Sequence, residues 1–93
     1  MIFIEEKYPE KGTVVIQVEG QLNQETLPIL KEVCEQHRNQ LPLRKIALDL
    51  SRLTHIGRES KDYLREARCW ASLTCLPEFL RLELFPEFRA PPG

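Results

Sequence analysis

Apolar and polar residues alternate along three stretches of the chain and recur at helical spacing along two others. Val14, Ile16 and Val18 lie on one side of an extended segment, with Val15, Gln17 and Glu19 on the other. Ile46, Leu48 and Leu50 oppose Ala47 and Asp49, and Leu80, Leu82 and Leu84 oppose Arg81 and Glu83. A period of two is that of a half-buried strand. The pattern predicts strands over 13–19, 44–50 and 79–85, preceded by a strand over 2–7 that becomes charged toward its end. Pro9-Glu10-Lys11-Gly12 is a turn sequence in which glycine supplies positive φ, so the first two strands are expected to form an antiparallel hairpin.

Leu27, Leu30, Cys34, His37 and Leu41 recur at i, i+3, i+7, i+10 and i+14, which predicts a helix. Asn23 or Thr26 can cap it, Pro28 falls in its tolerant first turn, and Pro42 stops it. A second helix is expected from about Ser60 to Leu73, with Tyr63, Leu64, Ala67, Trp70 and Ala71 inward and a break over Thr74–Pro77. Pro86–Arg89 reads as the start of a last helix that Ala90-Pro91-Pro92-Gly93 cannot continue.

Strands that alternate with helices usually form a parallel sheet covered on both faces, and such strands are apolar throughout. These strands each have one apolar and one polar side. Both helices are therefore expected on one face of the sheet, with the other face open to solvent. The fold class predicted is α/β, a small mixed four-stranded sheet with helices packed on one face and a truncated last helix.

Ninety-three residues make a single domain, 1–93. A chain of that size buries about 60–65% of its unfolded surface. Lysine and arginine number 13 against 14 acids, a net charge of −1. No basic excess points to nucleic acid, and no polybasic run points to anionic lipid. The start, MIFIEEKYPE, turns acidic after four residues, unlike a signal peptide, and no apolar run approaches a membrane span. A cytoplasmic protein without direct membrane insertion is expected.

Cys34, Cys69 and Cys75 are odd in number and lie in or beside apolar helical patterns, where free cysteine packs as a small hydrophobe. The spacings Cys34-x-x-His37 and Cys69-x5-Cys75 match no standard zinc pattern. No metal or cofactor is expected. His55 lies near Asp49 and Glu59 in sequence, but no serine or cysteine nucleophile accompanies it in a recognisable motif. His37, on an apolar helix face, reads as a satisfied core or boundary residue. No P-loop or G-x-G-x-x-G turn occurs. No catalytic residues are assigned, and an enzyme is not expected.

Residues 46–64, IALDLSRLTHIGRESKDYL, carry the most information. The L-D-L-S strand end, then Leu53 and Ile56, then a helix led by Arg58, Glu59 and Ser60, resemble the signature of the STAS family, the fold of anti-sigma factor antagonists. Residues 19–30, EGQLNQETLPIL, also resemble that family's first strand-to-helix passage, with Asn23 where an aspartate is usual. Where the family usually reads Asp-Ser-Ser-Gly, this chain has Gly57-Arg58-Glu59-Ser60. Glu59 occupies the position of the serine or threonine that phosphorylating members use as a switch.

The resemblance implies a bacterial regulatory module that binds a protein partner, an anti-sigma factor-like kinase or another regulator, through the switch loop and second helix. Carried onto this sequence, that surface is Thr54, His55, Gly57, Arg58, Glu59, Ser60, Asp62, Arg65 and Glu66. Two readings of Glu59 are open: a fixed charge in place of a removable one, or an ordinary first-turn acid. Ser60 is the nearest hydroxyl, a helix cap or a phosphoacceptor one residue late. The alternatives are a cytosolic STAS accessory subunit of a lipid or other membrane-transport complex, and a small-molecule or nucleotide-binding domain using residues 54–60. The short C-terminus suggests a homodimer through an uncovered apolar sheet face near Leu82 and Leu84.

Overall fold

Gly12, at φ +83, turns the first strand back onto the second, and Thr13 N–H closes the turn on Glu10 O at 3.2 Å. The computed structural model describes residues 1–40 and 44–84, the side chains of 83 and 84 excepted. Its elements are β1 (Ile2–Lys7), β2 (Thr13–Leu22), α1 (Leu27–Arg38), β3 (Lys45–Ile56), α2 (Arg58–Ala67), β4 (Ala71–Thr74) and α3 (Glu78–Leu84). One mixed sheet runs in the order β1-β2-β3-β4. β1 pairs antiparallel with β2, from Ile2 opposite Gly20 to Lys7 opposite Val15. β3 pairs parallel with both β2 and β4.

One-sided burial follows the alternation. Val14, Ile16 and Val18 of β2 and Ile46, Leu48 and Leu50 of β3 are buried. They meet Leu27, Leu30 and Cys34 of α1, Leu64 and Ala67 of α2, and Leu80 of α3 in one core. The opposite face stays open. There Gln17 stands beside Asp49 in the β2–β3 ladder and donates its Nε2 to Asp49 Oδ2 at 3.5 Å. Phe3 is 61% exposed. Truncating a fully buried leucine such as Leu48 would remove about 2–5 kcal/mol.

The far end of α1 is tied to the hairpin by one ring of contacts. Buried His37 brings Nε2 to 3.0 Å from Glu6 Oε1, and Arg44 Nη1 approaches Nδ1 at 3.5 Å. A guanidinium only donates, so this arrangement puts the neutral ring's proton on Nε2, toward Glu6. Arg44 also lies over the Tyr8 ring at 5.6 Å.

Four expectations are corrected. Residues 79–85 were expected as a strand, but 78–84 form α3. The alternation of Leu80, Leu82 and Leu84 is accidental: Leu80 is fully buried while Leu82 is 40% exposed, and leucine, arginine and glutamate are strong helix formers. The edge beside β3 is taken by Ala71–Thr74, anchored by Thr74 Oγ1 donating to Leu48 O at 3.2 Å. The second helix therefore ends at Ala67, well short of Leu73. α1 ends at Arg38, with Asn39 as its C-cap, before the expected Leu41. Leu82 belongs to a helix, so the uncovered sheet face imagined around Leu82 and Leu84 loses its basis as a dimer contact. Leu41, Pro42 and the last helix expected from Pro86 lie outside the described residues.

Gly20 is the conformational keystone of the β1–β2 pairing. Its φ is +107, and a Cβ there would collide with the carbonyl oxygen of Met1, which also accepts Gln21 N–H at 3.2 Å. Gly12→Ala meets open space and pays backbone strain alone, of order 1–3 kcal/mol. Gly20→Ala adds a backbone collision to that strain. Urea midpoints are expected to fall further for Gly20→Ala than for Gly12→Ala. Equal midpoints would show that the Met1 contact does not constrain the fold.

Candidate functional site

The β3–α2 corner owes its position to two irregularities in β3. Gln17 pairs with Asp49 but Glu19 with Arg52, and Gly20 pairs with Leu53 but Gln21 with His55. At each shift β3 carries one residue more than β2, which is a bulge. The buried residues accordingly pass from every second position (Ile46, Leu48, Leu50) to every third (Leu53, Ile56). Asp49 Oδ1 accepts Ser51 N–H at 3.0 Å beside the first bulge. Thr54 is the extra residue of the second, and its Oγ1 donates to Gly20 O at 3.1 Å. β3 thus runs past its expected end near Leu50 and Ser51 to Ile56, and Gly57 alone separates it from α2.

β2 and β3 finish level, Leu22 opposite Ile56, and Gly57 N–H donates to Leu22 O at 2.8 Å. Gly57 caps α2 in an extended conformation (φ −86, ψ 170) with no side chain to bond the helix amides. The neighbouring β2–α1 corner is better satisfied. Asn23 Oδ1 accepts Glu25 N–H and Thr26 N–H at 2.9 and 3.1 Å. Thr26 Oγ1 accepts Asn23 N–H at 2.9 Å and donates to Gln21 O at 2.8 Å, so Asn23 and Thr26 act together at the start of α1. Between the corners lies a shallow cavity of about 230 Å³ lined by Gln24, Gly57, Arg58 and Glu59. This is the carboxyl end of the parallel strands, where sites of α/β folds gather.

Thr54, His55, Arg58, Glu59, Asp62, Arg65 and Glu66 are exposed, and Gly57 is half-buried. Glu59 stands in the first turn of α2, where the helix dipole and unpaired amides favour an anion by about 0.3–1 kcal/mol. Asp62 Oδ1 accepts a hydrogen bond from Arg65 Nη1 at 2.9 Å. Ser60 differs from the rest. It is 0% exposed and its Oγ has no hydrogen-bond partner, so it neither caps α2 nor meets the surface. His55 pairs with Gln21 near the end of β3, about 20 Å along the strand from mid-strand Asp49, so the two form no dyad. Among the described residues, no group of three His, Cys, Asp or Glu side chains could hold a metal ion. No helix among them is long and apolar enough to cross a membrane.

The sequence pattern passed over a groove between α1 and α2. Near the corner it measures about 270 Å³, lined by Leu27, Lys31, Glu59, Asp62, Tyr63 and Glu66. It continues for about 460 Å³ past Glu35, Arg38 and Trp70. Tyr63 and Trp70, expected to face inward, are half-buried and meet edge-on with centroids 6.2 Å apart. The available signal was the spacing of Lys31, Glu35 and Arg38, which aligns three charges on one side of α1. Beneath the groove, burial pushes the Cys34 thiol from 9.0 up to about 11, and burial with the adjacent Cys34 raises the Tyr63 phenol. Tyr63 Oη still lacks a hydrogen-bond partner of good geometry.

No protein-family model matches the sequence, and no curated protein matches it. Solved structures do. The chain is similar to the anti-sigma factor antagonist SpoIIAA in its unphosphorylated form, at TM-score 0.61 and 18% identity over 89% of this chain and 83% of that one. It is also similar to an uncharacterised protein of the DUF3478 family with a SpoIIAA-like fold from Shewanella loihica PV-4, at TM-score 0.56 and 13% identity over 88% and 73% of the two chains. The fold is STAS-like, in agreement with the resemblance of residues 46–64.

Two outcomes follow. Ser60→Ala removes a buried, unpartnered hydroxyl and is expected to leave the unfolding free energy measured in urea unchanged or raised by up to about 1 kcal/mol; a clear loss would reveal a hydrogen bond at Ser60. A thiol raised on folding stabilises the native state fully below pH 9.0 and loses that contribution as pH climbs to about 11. The wild type should therefore lose stability over that window more steeply than Cys34→Ala, and parallel pH profiles would contradict the assignment.

Proposed function

We propose that this chain is a non-enzymatic protein–protein recognition module, resembling anti-sigma factor antagonists, whose corner carries a fixed charge. The contact surface is the β3–α2 corner and the exposed sides of α2: Thr54, His55, Gly57, Arg58, Glu59, Asp62, Arg65 and Glu66. The partner is an anti-sigma factor-like kinase or another regulator. One observation carries the reading. Exposed Glu59 holds the position at which the resemblance places the phosphoacceptor, and the adjacent hydroxyl of Ser60 is sealed in the interior. A phosphoryl group would bring about −1.5 to −2 charge that can be removed, whereas a carboxylate brings one charge that cannot. The likeness in fold to the antagonist SpoIIAA supports recognition over turnover.

The test is affinity capture followed by titration of the captured protein. Arg58→Ala combined with Glu59→Ala is expected to weaken binding at least about tenfold, the effect of losing 1.4 kcal/mol of contact. Incubation of the wild type with a cognate kinase should leave residues 54–66 unmodified by mass spectrometry. A partner that binds the double variant as well as the wild type would overturn the reading.

A further inference from the structure

α2 separates its charges into two stripes. Arg58, Lys61, Arg65 and Arg68 follow at steps of three, four and three. Glu59, Asp62 and Glu66 repeat that spacing one residue later, hence about 100° around the helix. The acidic stripe lines the groove against α1, and no member of the basic stripe does. The groove as a whole presents four carboxylates (Glu35, Glu59, Asp62 and Glu66) to two cations, Lys31 and Arg38.

Both cations are engaged within the groove wall. Lys31 Nζ lies 5.4 Å from the Tyr63 centroid, and Arg38 lies 4.6 Å over Trp70 while pairing with Glu35 at 3.1 Å. Asp62 is bonded to Arg65. The carboxylates of Glu59 and Glu66 make no hydrogen bond or ion pair with any described residue. They stand two turns apart on one side of α2, about 10 Å along its axis. Between them the groove offers the half-buried ring of Tyr63, with Leu27 buried beneath it in the core.

We infer that this groove receives a basic amphipathic segment of the partner protein. Two of its cationic side chains, about 10 Å apart, meet Glu59 and Glu66, and the apolar residue between them rests on the exposed part of the Tyr63 ring. The inference rests on the reading of the chain as a recognition module and states what the partner must present. An acidic segment is rejected by the same carboxylates. The basic stripe on the other side of α2 is left clear of this contact.

Trp70 is the chain's single tryptophan and lines the groove, so its fluorescence reports occupancy. The probes are a short synthetic lysine–leucine peptide with lysines seven residues apart, and its counterpart with glutamate at those positions. The lysine peptide is expected to change Trp70 emission saturably and to weaken with added salt. Glu59→Gln with Glu66→Gln should weaken it about tenfold, since two exposed ion pairs contribute up to about 1 kcal/mol each. Glu66→Lys should transfer preference toward the glutamate peptide, and Lys11→Gln, in the exposed turn between β1 and β2, should leave the lysine peptide's affinity unchanged. Equal binding of both peptides, or indifference to Glu59→Gln with Glu66→Gln, would overturn the inference. A captured partner that depends on Arg58 yet ignores Glu66→Lys would overturn it while leaving the recognition reading intact. Loss of the corner's role with peptide selectivity preserved would mark the reading itself as the failure.

Discussion

The parallel pairing of β2 with β3 sets the position of everything else. Each strand feeds a helix at its carboxyl end, and the two strands end level because the ladder reaches from Thr13–Lys45 to Leu22–Ile56 despite two bulges. Gly57 N–H on Leu22 O then fastens the start of α2 to the end of β2. The two helix starts are therefore neighbours, and α1 and α2 lie side by side on the single apolar face of the sheet with a groove between them. A strand slipped by one residue would turn Val14, Ile16 and Val18 to solvent, so the register is held by the whole core.

That geometry gives two adjacent residues opposite fates. Position 59 leaves the helix toward solvent at its positive end, and position 60 points into the core. A hydroxyl at 60 is inaccessible to any macromolecule, and a carboxylate at 59 needs no enzyme to charge it. The electrostatic stabilisation is small, about 0.3–1 kcal/mol, so Glu59 matters for what it presents far more than for stability. The same outward turn puts Glu59 at the mouth of the groove, where Tyr63 and Trp70 keep an aromatic floor between the helices.

Much of this was legible in the residues. The hairpin, the placement of both helices on one face and the beginning of β3 follow from Val14, Ile16, Val18, Ile46, Leu48 and Leu50, because period two is unambiguous where no bulge intervenes. The rest of β3 was hidden by its bulges: each inserts a residue, and Leu50, Leu53 and Ile56 at steps of three no longer read as a strand. At the other end, Trp70 and Ala71 extend the helical spacing of α2 past its true stop, and Leu80, Leu82 and Leu84 alternate without lying on a sheet. There the tertiary vacancy beside β3 decided the matter, since Ala71–Thr74 reach it directly after α2. Glu59 was readable as an exposed first-turn acid. The burial of Ser60 was not, because it depends on Gly57, and not a later residue, being the cap.

Cysteine accessibility in a Cys69→Ser, Cys75→Ser background tests the orientation of the corner most directly. Glu59→Cys should react with a maleimide under native conditions nearly as fast as in urea. Ser60→Cys should react only as fast as buried Cys34, and regain full reactivity on unfolding. Similar native rates at positions 59 and 60, or protection at 59 with reactivity at 60, would contradict an outward fixed charge beside an inward hydroxyl.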